Sequence, residues 1–179
     1  PDRRASQRGA DLRRSPCGAN ARLAPYNKRL RSRLQTSHFP PSNFSMRETI
    51  HLVTRTREVL VDITPQVRDV VARSGVRDGL LAVYAQGATA AVMIQENWDD
   101  SVQTDVVELL HQLIPRGVWR HDAQDGNGDS HLKAGLVGPS ETIPIIDGQL
   151  GLSTWQNIFF CEFDGPRSDR RVVCTVIPG

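Results

Sequence analysis

The chain has 179 residues, 39% of them apolar, and a formal net charge of +2. This length fits one domain with a core, and no stretch approaches the roughly 18 uninterrupted apolar residues of a membrane span. The charge is divided unevenly, because residues 1–45 hold ten Lys/Arg and two acids, whereas residues 46–179 hold twelve Lys/Arg and eighteen acids. We therefore expect two physically different parts.

Residues 1–45 are rich in Arg and in turn-forming residues and lack sustained apolar periodicity. Such a segment cannot bury enough apolar surface to offset its ordering entropy, so we expect a disordered tail. An organellar presequence and an arm attracted to nucleic acid are two functional interpretations. We favour a third, in which the tail is not native and was translated ahead of a start at Met46. We expect no nucleic-acid binding by the remainder, which is net acidic.

The apolar pattern from residue 46 onwards predicts ordered elements. Apolar and polar residues alternate around Ile50 and again around Val61, which predicts two short strands. Thr64 and Pro65 predict the N-cap and first turn of a helix, and Gly75 predicts its end. The runs LLAVYA and TAAVMIQ predict the next two strands.

A second helix is predicted over the run SVQTDVVELLHQLI. Asp100 and Gln103 have the spacing of a capping box, and Pro115 ends the run. Five apolar residues fall at helical spacing and are expected to form one buried stripe. They are Val102, Val106, Leu109, Leu110 and Leu113.

The remaining chain is predicted to be a loop followed by strands. The stretch HDAQDGNGDSHLKAG, residues 121–135, contains many turn-forming residues. Two hairpins are predicted after it, one around Asp147-Gly148 and one in which TWQNIFFCEF and RRVVCTVI flank DGPRSD. Clustered strands and separate helices, without regular alternation, indicate an α+β fold with a mainly antiparallel β-sheet and two or three helices.

The cysteines indicate a reducing environment. Cys17 lies in the tail, while Cys161 and Cys174 could face each other across the last predicted hairpin. No secretory signal is recognisable, so two apolar free thiols are a better interpretation than a disulfide. We therefore expect a cytoplasmic protein.

His121 and His131 are the first candidate site residues, because they flank three acids and a Gly-Asn-Gly in one stretch. Imidazole titrates near neutral pH and is a common metal ligand. Their spacing matches no standard zinc motif, so a solvated pair and a functional site remain equally open. His38, His51 and His111 are expected to be surface residues.

Two acids and two bases are further candidates. Glu96 follows one apolar run and Glu162 lies inside another, where a buried carboxylate needs a cationic, metal or hydrogen-bond partner. Alternation would instead turn Glu162 towards solvent, and we leave both interpretations open. Lys133, Arg167 and the backbone amides of residues 126–128 could hold an anion.

The chain resembles a known family at several motifs in order. The run HDAQDGNGDSHLKAGLVGPSETIPIIDGQLGLSTWQ, followed by EFDGPR and RRVVCTVIPG, closely resembles the YjbQ family, often labelled secondary thiamine-phosphate synthase. The resemblance extends back through QGATAAVMIQENWDDSVQTDVVELLHQLIP to about Met46. It therefore covers residues 46–179, which we expect to form one YjbQ-like domain.

The resemblance implies a compact α+β homotrimer with a polar cleft near the subunit boundary. It also implies a weak thiamine-phosphate synthase-like transferase activity, with a poorly defined physiological role and a small phosphate-bearing ligand. The alternative is a non-catalytic trimer that binds a small ligand or a metal. The resemblance and the reasoning from individual residues together assign roles to ten residues. The expected catalytic residues are Glu96, His121, His131 and Glu162. The expected ligand-binding residues are Thr89, Asn127, Lys133, Trp155, Gln156 and Arg167.

Two positions depart from the family pattern. Many relatives carry His-Thr-Thr or His-Thr-Ser where this chain has Gly87-Ala88-Thr89, so a third site histidine is missing. Ser153 replaces the usual glycine before Thr-Trp-Gln. We therefore expect His121 and His131 to form either a weak site for a divalent ion, Mg or Zn, completed by a glutamate such as Glu96 or Glu162, or a metal-free anion site.

Overall fold

A computed structural model describes residues 45–179, and the expectations for residues 1–44, including those for Cys17 and His38, lie outside this range. The strands are β1 (Met46–Thr54), β2 (Val59–Asp62), β3 (Gly79–Ala85), β4 (Ala90–Glu96), β5 (Ser140–Ile146), β6 (Gln149–Leu150), β7 (Gln156–Glu162) and β8 (Arg167–Pro178). The helices are α1 (Thr64–Ser74), α2 (Ser101–Leu113), α3 (Asp122–Asp125) and α4 (Gly128–Val137).

The strands form two antiparallel sheets. The larger sheet has the order β1-β8-β3-β5-β6, and the smaller has the order β2-β7-β4. Every strand pair in them is antiparallel. The predicted α+β class is therefore confirmed, with four helices in the described residues rather than two or three.

The main core lies between the two sheets and α1. It contains Leu81 and Val83 from β3, Phe160 from β7, and Val67 and Val70 from α1, each at most 1% exposed. A second cluster lies on the other face of the smaller sheet, where Phe159 and Phe163 pack with residues of α2 and α4. The smaller sheet is therefore covered on both faces, which places α4 against β4.

Helix α1 begins one residue earlier than predicted, since Thr64 was expected to be its N-cap. Its N-cap is Ile63, and Thr64 is the first helical residue. The Thr64 hydroxyl accepts the backbone N–H of Ile158 instead of capping the helix, because this buried N–H needs a partner. The predicted end is confirmed, since Gly75 adopts a left-handed conformation with φ 67°.

Helix α2 is present, but its predicted stripe and capping box are wrong. Only Leu110 is buried, whereas Leu109 and Leu113 are 54% and 60% exposed. Gln103 does not close a capping box, because its amide bonds to the backbone oxygen of Glu96 and the side chain of Asn97. The helix contacts the smaller sheet along a narrow face, so fewer positions are covered than the periodicity indicates.

None of the helices in residues 45–179 has the length and apolar content needed to cross a membrane. The longest of them, α2, has 13 residues.

The predicted loop 121–135 is mostly helical. Helix α3 ends at Gly126, which is left-handed with φ 69°, and α4 runs from Gly128 through the site residues to Val137. The turn-forming residues fill only the junction between two helices, whereas Leu, Lys and Ala in the second half favour a helix. The stretch therefore presents its side chains from a defined helical surface.

One predicted hairpin is confirmed and the other is wrong. Asp147 and Gly148 both have positive φ, as a two-residue hairpin turn between β5 and β6 requires. In contrast, β7 pairs with β2 and β4, while β8 pairs with β1 and β3. DGPRSD therefore carries the chain from one sheet to the other, and period-two alternation cannot distinguish such a crossing from a hairpin.

Cys161 and Cys174 do not face each other, because they lie on β7 and β8 in different sheets. Both are free and buried, which confirms the prediction of apolar thiols. Burial raises the pKa of each thiol to about 12. Neither side chain is therefore suited to act as a nucleophile.

Candidate functional site

Two histidine rings meet where α3 and α4 begin. His121 directly precedes α3 and His131 lies in the first turn of α4, with ring centroids 4.9 Å apart and ring planes at 86°. Nδ1 of His131 is 3.1 Å from the carbonyl oxygen of Ala88. A carbonyl only accepts hydrogen bonds, so Nδ1 carries the hydrogen, and Nε2 of the neutral ring offers a lone pair.

Asp125 is the carboxylate of this cluster. Its Oδ1 lies 3.2 Å from Nε2 of His121, and one ligand atom from each of His121, Asp125 and His131 lies within 4.8 Å of the others. Two imidazoles and one carboxylate are the donor set of many catalytic zinc sites. The cluster, which we call the histidine–aspartate site, therefore has a donor set that could hold a divalent ion.

Asp122 fixes the relative position of the two helices. Its Oδ2 accepts the backbone N–H of Trp119 and its Oδ1 accepts that of Gly128, each at 2.8 Å. These bonds, led by that from Trp119, hold the pKa of Asp122 below its ordinary value of 3.8. A Cβ at residue 128 would lie 2.9 Å from both Asp122 and Trp119, so the close junction requires glycine there.

A cleft of about 550 Å³ opens beside the two rings. Its walls include Val118, Trp119 and Leu132, with Arg120 as a basic side chain at the same opening. This volume and lining are typical of a site for a small molecule, with an apolar wall and a few polar groups for orientation. A ligand in the cleft could contact both histidines.

Lys133 does not face this cleft. Its side chain is 0% exposed, and its Nζ lies 2.5 Å from Oε1 of Glu58 and 3.2 Å from Oδ2 of Asp129. The other oxygen of Asp129 lies 3.0 Å from Nη2 of Arg57. The charge of Lys133 is therefore balanced inside the domain, which gives it a structural position.

Glu162 is also buried and paired, rather than turned towards solvent. Its carboxylate lies 2.7 Å from Nε and 2.5 Å from Nη2 of Arg170, and it accepts the Thr54 hydroxyl at 2.9 Å. Nη2 of Arg170 also donates to Oγ1 of Thr89. Of the two interpretations left open for Glu162, the buried and paired one is therefore correct, and its cationic partner is Arg170.

Arg167 and Asn127 meet at a third carboxylate. Oδ2 of Asp164 lies 2.5 Å from Nη2 of Arg167 and 3.1 Å from Nδ2 of Asn127. Asn127 is also the N-cap residue of α4, so this pairing connects the site helix to the segment after β7. Arg167 remains 47% exposed, and it is more accessible to a ligand than Lys133.

The end of the smaller sheet that lies farther from the two histidines carries Glu96, Trp155 and Gln156. Glu96 ends β4 and pairs with Gln156, whereas Ala90 at the start of β4 pairs with Glu162. Six residue steps along a strand separate the two ends by about 20 Å. Within one chain these three residues therefore do not complete the histidine–aspartate site, and Glu96 does not supply its carboxylate.

This opposite end has its own cluster of aromatic and polar groups. The rings of Trp98 and Trp155 meet edge to face with centroids 4.7 Å apart. Oε2 of Glu96 and Oε1 of Gln103 are buried without a hydrogen-bond partner among the described residues.

Sequence reasoning identified both histidines but missed Asp125, Asp122 and Arg170. Asp125 stands four residues after His121, and this spacing would have grouped the two side chains if the stretch had been interpreted as a helix. Arg170 offered no such signal, because its partner Glu162 lies across a chain crossing between the two sheets.

The fold and the site together define a class of small antiparallel α+β domains with a histidine–aspartate cluster beside a cleft. The sequence profile of a family described as "UPF0047 protein YjbQ-like" matches residues 48–179. The chain therefore belongs to the YjbQ (UPF0047) family, as the resemblance indicated.

Individual relatives agree with this assignment. The chain is 48% identical over 114 residues to a UPF0047 protein of Methanocaldococcus jannaschii, covering 64% of this chain and 82% of the relative. It is 35% identical over 126 residues to YugU of Bacillus subtilis, covering 69% and 93%. A crystal structure of a YbjQ-like protein of unknown function from Sulfolobus solfataricus superposes with a TM-score of 0.74 at 31% identity, covering 76% and 99%.

Proposed function

We propose that this protein is a thiamine-phosphate synthase-like transferase with a weak or secondary activity, and that its substrates bind at the histidine–aspartate site. The observation that carries the proposal is the cluster of His121, Asp125 and His131, whose two histidines line a cleft of about 550 Å³. The apolar wall suits a heteroaromatic ring, and the histidines and Arg120 suit a phosphate group.

The proposed reaction needs stabilisation of a leaving group more than it needs proton transfer. The thiazole nitrogen forms a bond to the methylene carbon of the pyrimidine, the carbon–oxygen bond breaks, and the electron pair leaves with the diphosphate. No proton has to be removed from the attacking nitrogen. A site with hydrogen-bond donors and cations directed at the diphosphate can therefore support this step.

The same three residues are proposed to hold a divalent ion, Mg²⁺ or Zn²⁺. Nε2 of His131, a ring nitrogen of His121 and a carboxylate oxygen of Asp125 would be the ligands. A bound divalent ion would supply positive charge for the departing diphosphate. Without an ion, protonated histidines would supply that charge themselves.

A second candidate function is ligand or metal binding without catalysis. The observation that favours it is the complete pairing of two expected catalytic or binding groups, since Lys133 is held by Glu58 and Asp129, and Glu162 is held by Arg170. Neither group is available as an acid or base in the cleft. Weak transferase activity would then be incidental to binding.

We also propose that the chain assembles as a homotrimer through the outer face of the larger sheet. Leu80, Tyr84 and Ile177 are 48%, 44% and 48% exposed on that face, and Leu80 lies directly opposite Ile177. Exposed apolar side chains this close together are typical of an interface.

A cytoplasmic location is part of the same proposal. It is supported by the two buried free thiols, Cys161 and Cys174, since proteins of oxidising compartments more often pair their cysteines.

Binding to the site is tested by calorimetric titration of inorganic pyrophosphate into wild type, His121→Ala, His131→Ala and the double variant, with and without Mg²⁺ or Zn²⁺. Either single substitution is expected to weaken binding about tenfold or more. The double variant is expected to lose little beyond the worse single variant, because groups that act together are non-additive. The control is His51→Ala, since His51 also pairs with an aspartate, Asp169, but lies outside the cluster.

The pH dependence of pyrophosphate affinity distinguishes a metal-free anion site from a metal site. If the histidines bind the anion directly, affinity falls as pH rises through the range in which imidazoles lose their proton. If they bind a metal ion, affinity rises over the same range, because the ligands must be deprotonated. If wild type and both single variants bind pyrophosphate equally at every pH from about 5.5 to 8.5, the two histidines do not form the binding site.

Catalysis is tested separately, by thiamine-phosphate formation at several enzyme concentrations. A rate proportional to enzyme, lost in His131→Ala and kept in His51→Ala, is the result expected of a transferase. Pyrophosphate binding without any such rate would support the non-catalytic function instead.

A further inference from the structure

Arg170 presents one unused edge of its guanidinium group close to the histidine–aspartate site. Its Nε and Nη2 bond to Glu162, and its Nη2 also donates to Thr89. Within residues 45–179, Nη1 has no hydrogen-bond acceptor, and the side chain is 11% exposed. The buried Glu162 fixes the plane of the group, so the two N–H bonds of Nη1 have a defined direction.

Gly87 leaves the space into which Nη1 projects. A Cβ at this position would lie 3.1 Å from Nη1 of Arg170. Gly87 is not among the glycines of the described residues that have positive φ, so its backbone does not require glycine. The absence of a Cβ at this position therefore leaves room beside the guanidinium group.

The short segment from Gly87 to Thr89 contacts both Arg170 and the histidine–aspartate site. Thr89 accepts a hydrogen bond from Arg170, and the carbonyl oxygen of Ala88 accepts one from His131. The Cα atoms of Gly87 and Thr89 can be no more than about 7 Å apart. Nη1 of Arg170 and the His131 ring therefore contact neighbouring residues of one short segment.

We infer that Arg170 is a second anion-binding group of this site, and that it makes the site selective for a diphosphate over a single phosphate. One phosphate group binds at the histidine–aspartate site, and Nη1 of Arg170 donates to an oxygen of the second. Because Glu162 balances the charge of Arg170, the contribution is directional hydrogen bonding more than net charge. This inference rests on the proposed function and names the class of group that the site recognises.

Arg171 provides a matched control on the same strand. It is the next residue of β8, its side chain is 55% exposed, and it pairs with Asp169. Successive side chains of a strand point to opposite faces, so Arg171 has the same chemistry but cannot reach the Gly87–Thr89 segment.

The test compares inorganic pyrophosphate with inorganic phosphate by calorimetry on Arg170→Lys, Gly87→Ala and Arg171→Lys. Arg170→Lys keeps a positive charge beside Glu162 but removes Nη1. We expect it to weaken pyrophosphate binding about tenfold or more and to change phosphate binding less than about twofold. Arg171→Lys is expected to leave both affinities unchanged.

Gly87→Ala keeps the ion pair of Arg170 and Glu162, so it gives a clear result even if Arg170→Lys fails to fold. Its Cβ displaces Nη1 by a few tenths of an ångström, and we expect pyrophosphate binding to weaken about threefold or more. The control is Gly135→Ala, because nothing lies within 4 Å of a Cβ there.

Three results have distinct meanings. Selective loss of pyrophosphate binding in both Arg170→Lys and Gly87→Ala supports the inference. The inference is overturned if Gly87→Ala and any folded Arg170→Lys bind pyrophosphate as tightly as the wild type does, while His131→Ala loses binding. In that case the proposed function stands. A wild-type protein that binds no pyrophosphate, with or without Mg²⁺, overturns both.

Discussion

At the scale of single residues, buried charges connect the helices of the site to the sheets. Lys133 on α4 pairs with Glu58, which precedes β2, while Arg57 bridges Asp129 on α4 and Asp164 after β7. Each of these contacts joins segments far apart in the chain. The network therefore holds α4, and with it His131, in a fixed position on the smaller sheet.

Lys133→Met is predicted to destabilise the domain by about 3–5 kcal/mol, because it removes the lysine partner of Glu58 and leaves Arg57 as the remaining cation beside the fully buried Asp129. Urea unfolding of both proteins would measure the difference. Arg77→Ala is the control, since Arg77 and its partner Asp147 are 71% and 79% exposed and such pairs contribute about 0–1 kcal/mol. Similar losses in the two variants would contradict a structural role for the buried pair.

Residue chemistry allowed some of this site to be predicted from sequence. A carboxylate buried in an apolar run needs a partner, so the sequence indicated that Glu162 is paired if it is buried, but it did not show on which side of the strand it lies. Its actual partner, Arg170, could not be identified, since the pairing depends on how β7 and β8 cross between two sheets. Lys133 was identified as a cation near the histidines, but its inward direction follows from the helical phase of α4.

At the scale of elements, the prediction of a loop in residues 121–135 failed at the point where function depends on it. Composition favours turns there, yet one side chain, Asp122, closes the junction and lets two helices follow each other. The second failure, the hairpin predicted between β7 and β8, has a similar origin. Local patterns indicate strands and turns correctly, but the choice of neighbour depends on the whole sheet.

Asp122→Ala is predicted to lower Tm by roughly 2–6 °C at pH 7 and to weaken pyrophosphate binding, because the α3–α4 junction loses two hydrogen bonds to its carboxylate. The pKa of Asp122 is lowered in the fold, so its contribution is present above the ordinary value of 3.8 and is lost as pH falls through the lowered pKa. The Tm difference from wild type should therefore shrink below pH 3.8.

The control for this prediction is Asp105→Ala on α2, a carboxylate that lies far from the junction in sequence and has no hydrogen bond to a backbone N–H among the described contacts. A Tm difference for Asp122→Ala that stays constant down to acid pH would show that the carboxylate charge does not close the junction.

At the scale of the whole molecule, the match of the family profile to residues 48–179 coincides with the described range, which begins at residue 45. Protein that starts at Met46 is therefore predicted to unfold at the same temperature as the full chain and to have the same number of subunits. Differential scanning calorimetry and sedimentation would compare the two. A Tm lower by more than about 4 °C in the shorter protein would show that the first 45 residues pack on the domain.

The outer face of the larger sheet carries the last prediction, which concerns assembly. In the described chain, β3 and β8 lie in the middle of that sheet, yet Leu80 and Ile177 are about half exposed and opposite each other. Sedimentation at micromolar concentration is expected to give three times the chain mass of 19.9 kDa. Leu80→Arg should lower this mass, because a desolvated unpaired charge at an interface is costly.

Leu109→Arg is the matched control for assembly, because Leu109 is similarly exposed, at 54%, but lies on α2. This variant is expected to keep the wild-type mass. A loss of assembly in Leu109→Arg but not in Leu80→Arg would place the interface on the helical side of the domain. A wild-type protein that sediments as a single chain and still binds pyrophosphate would show that the site needs no neighbouring subunit.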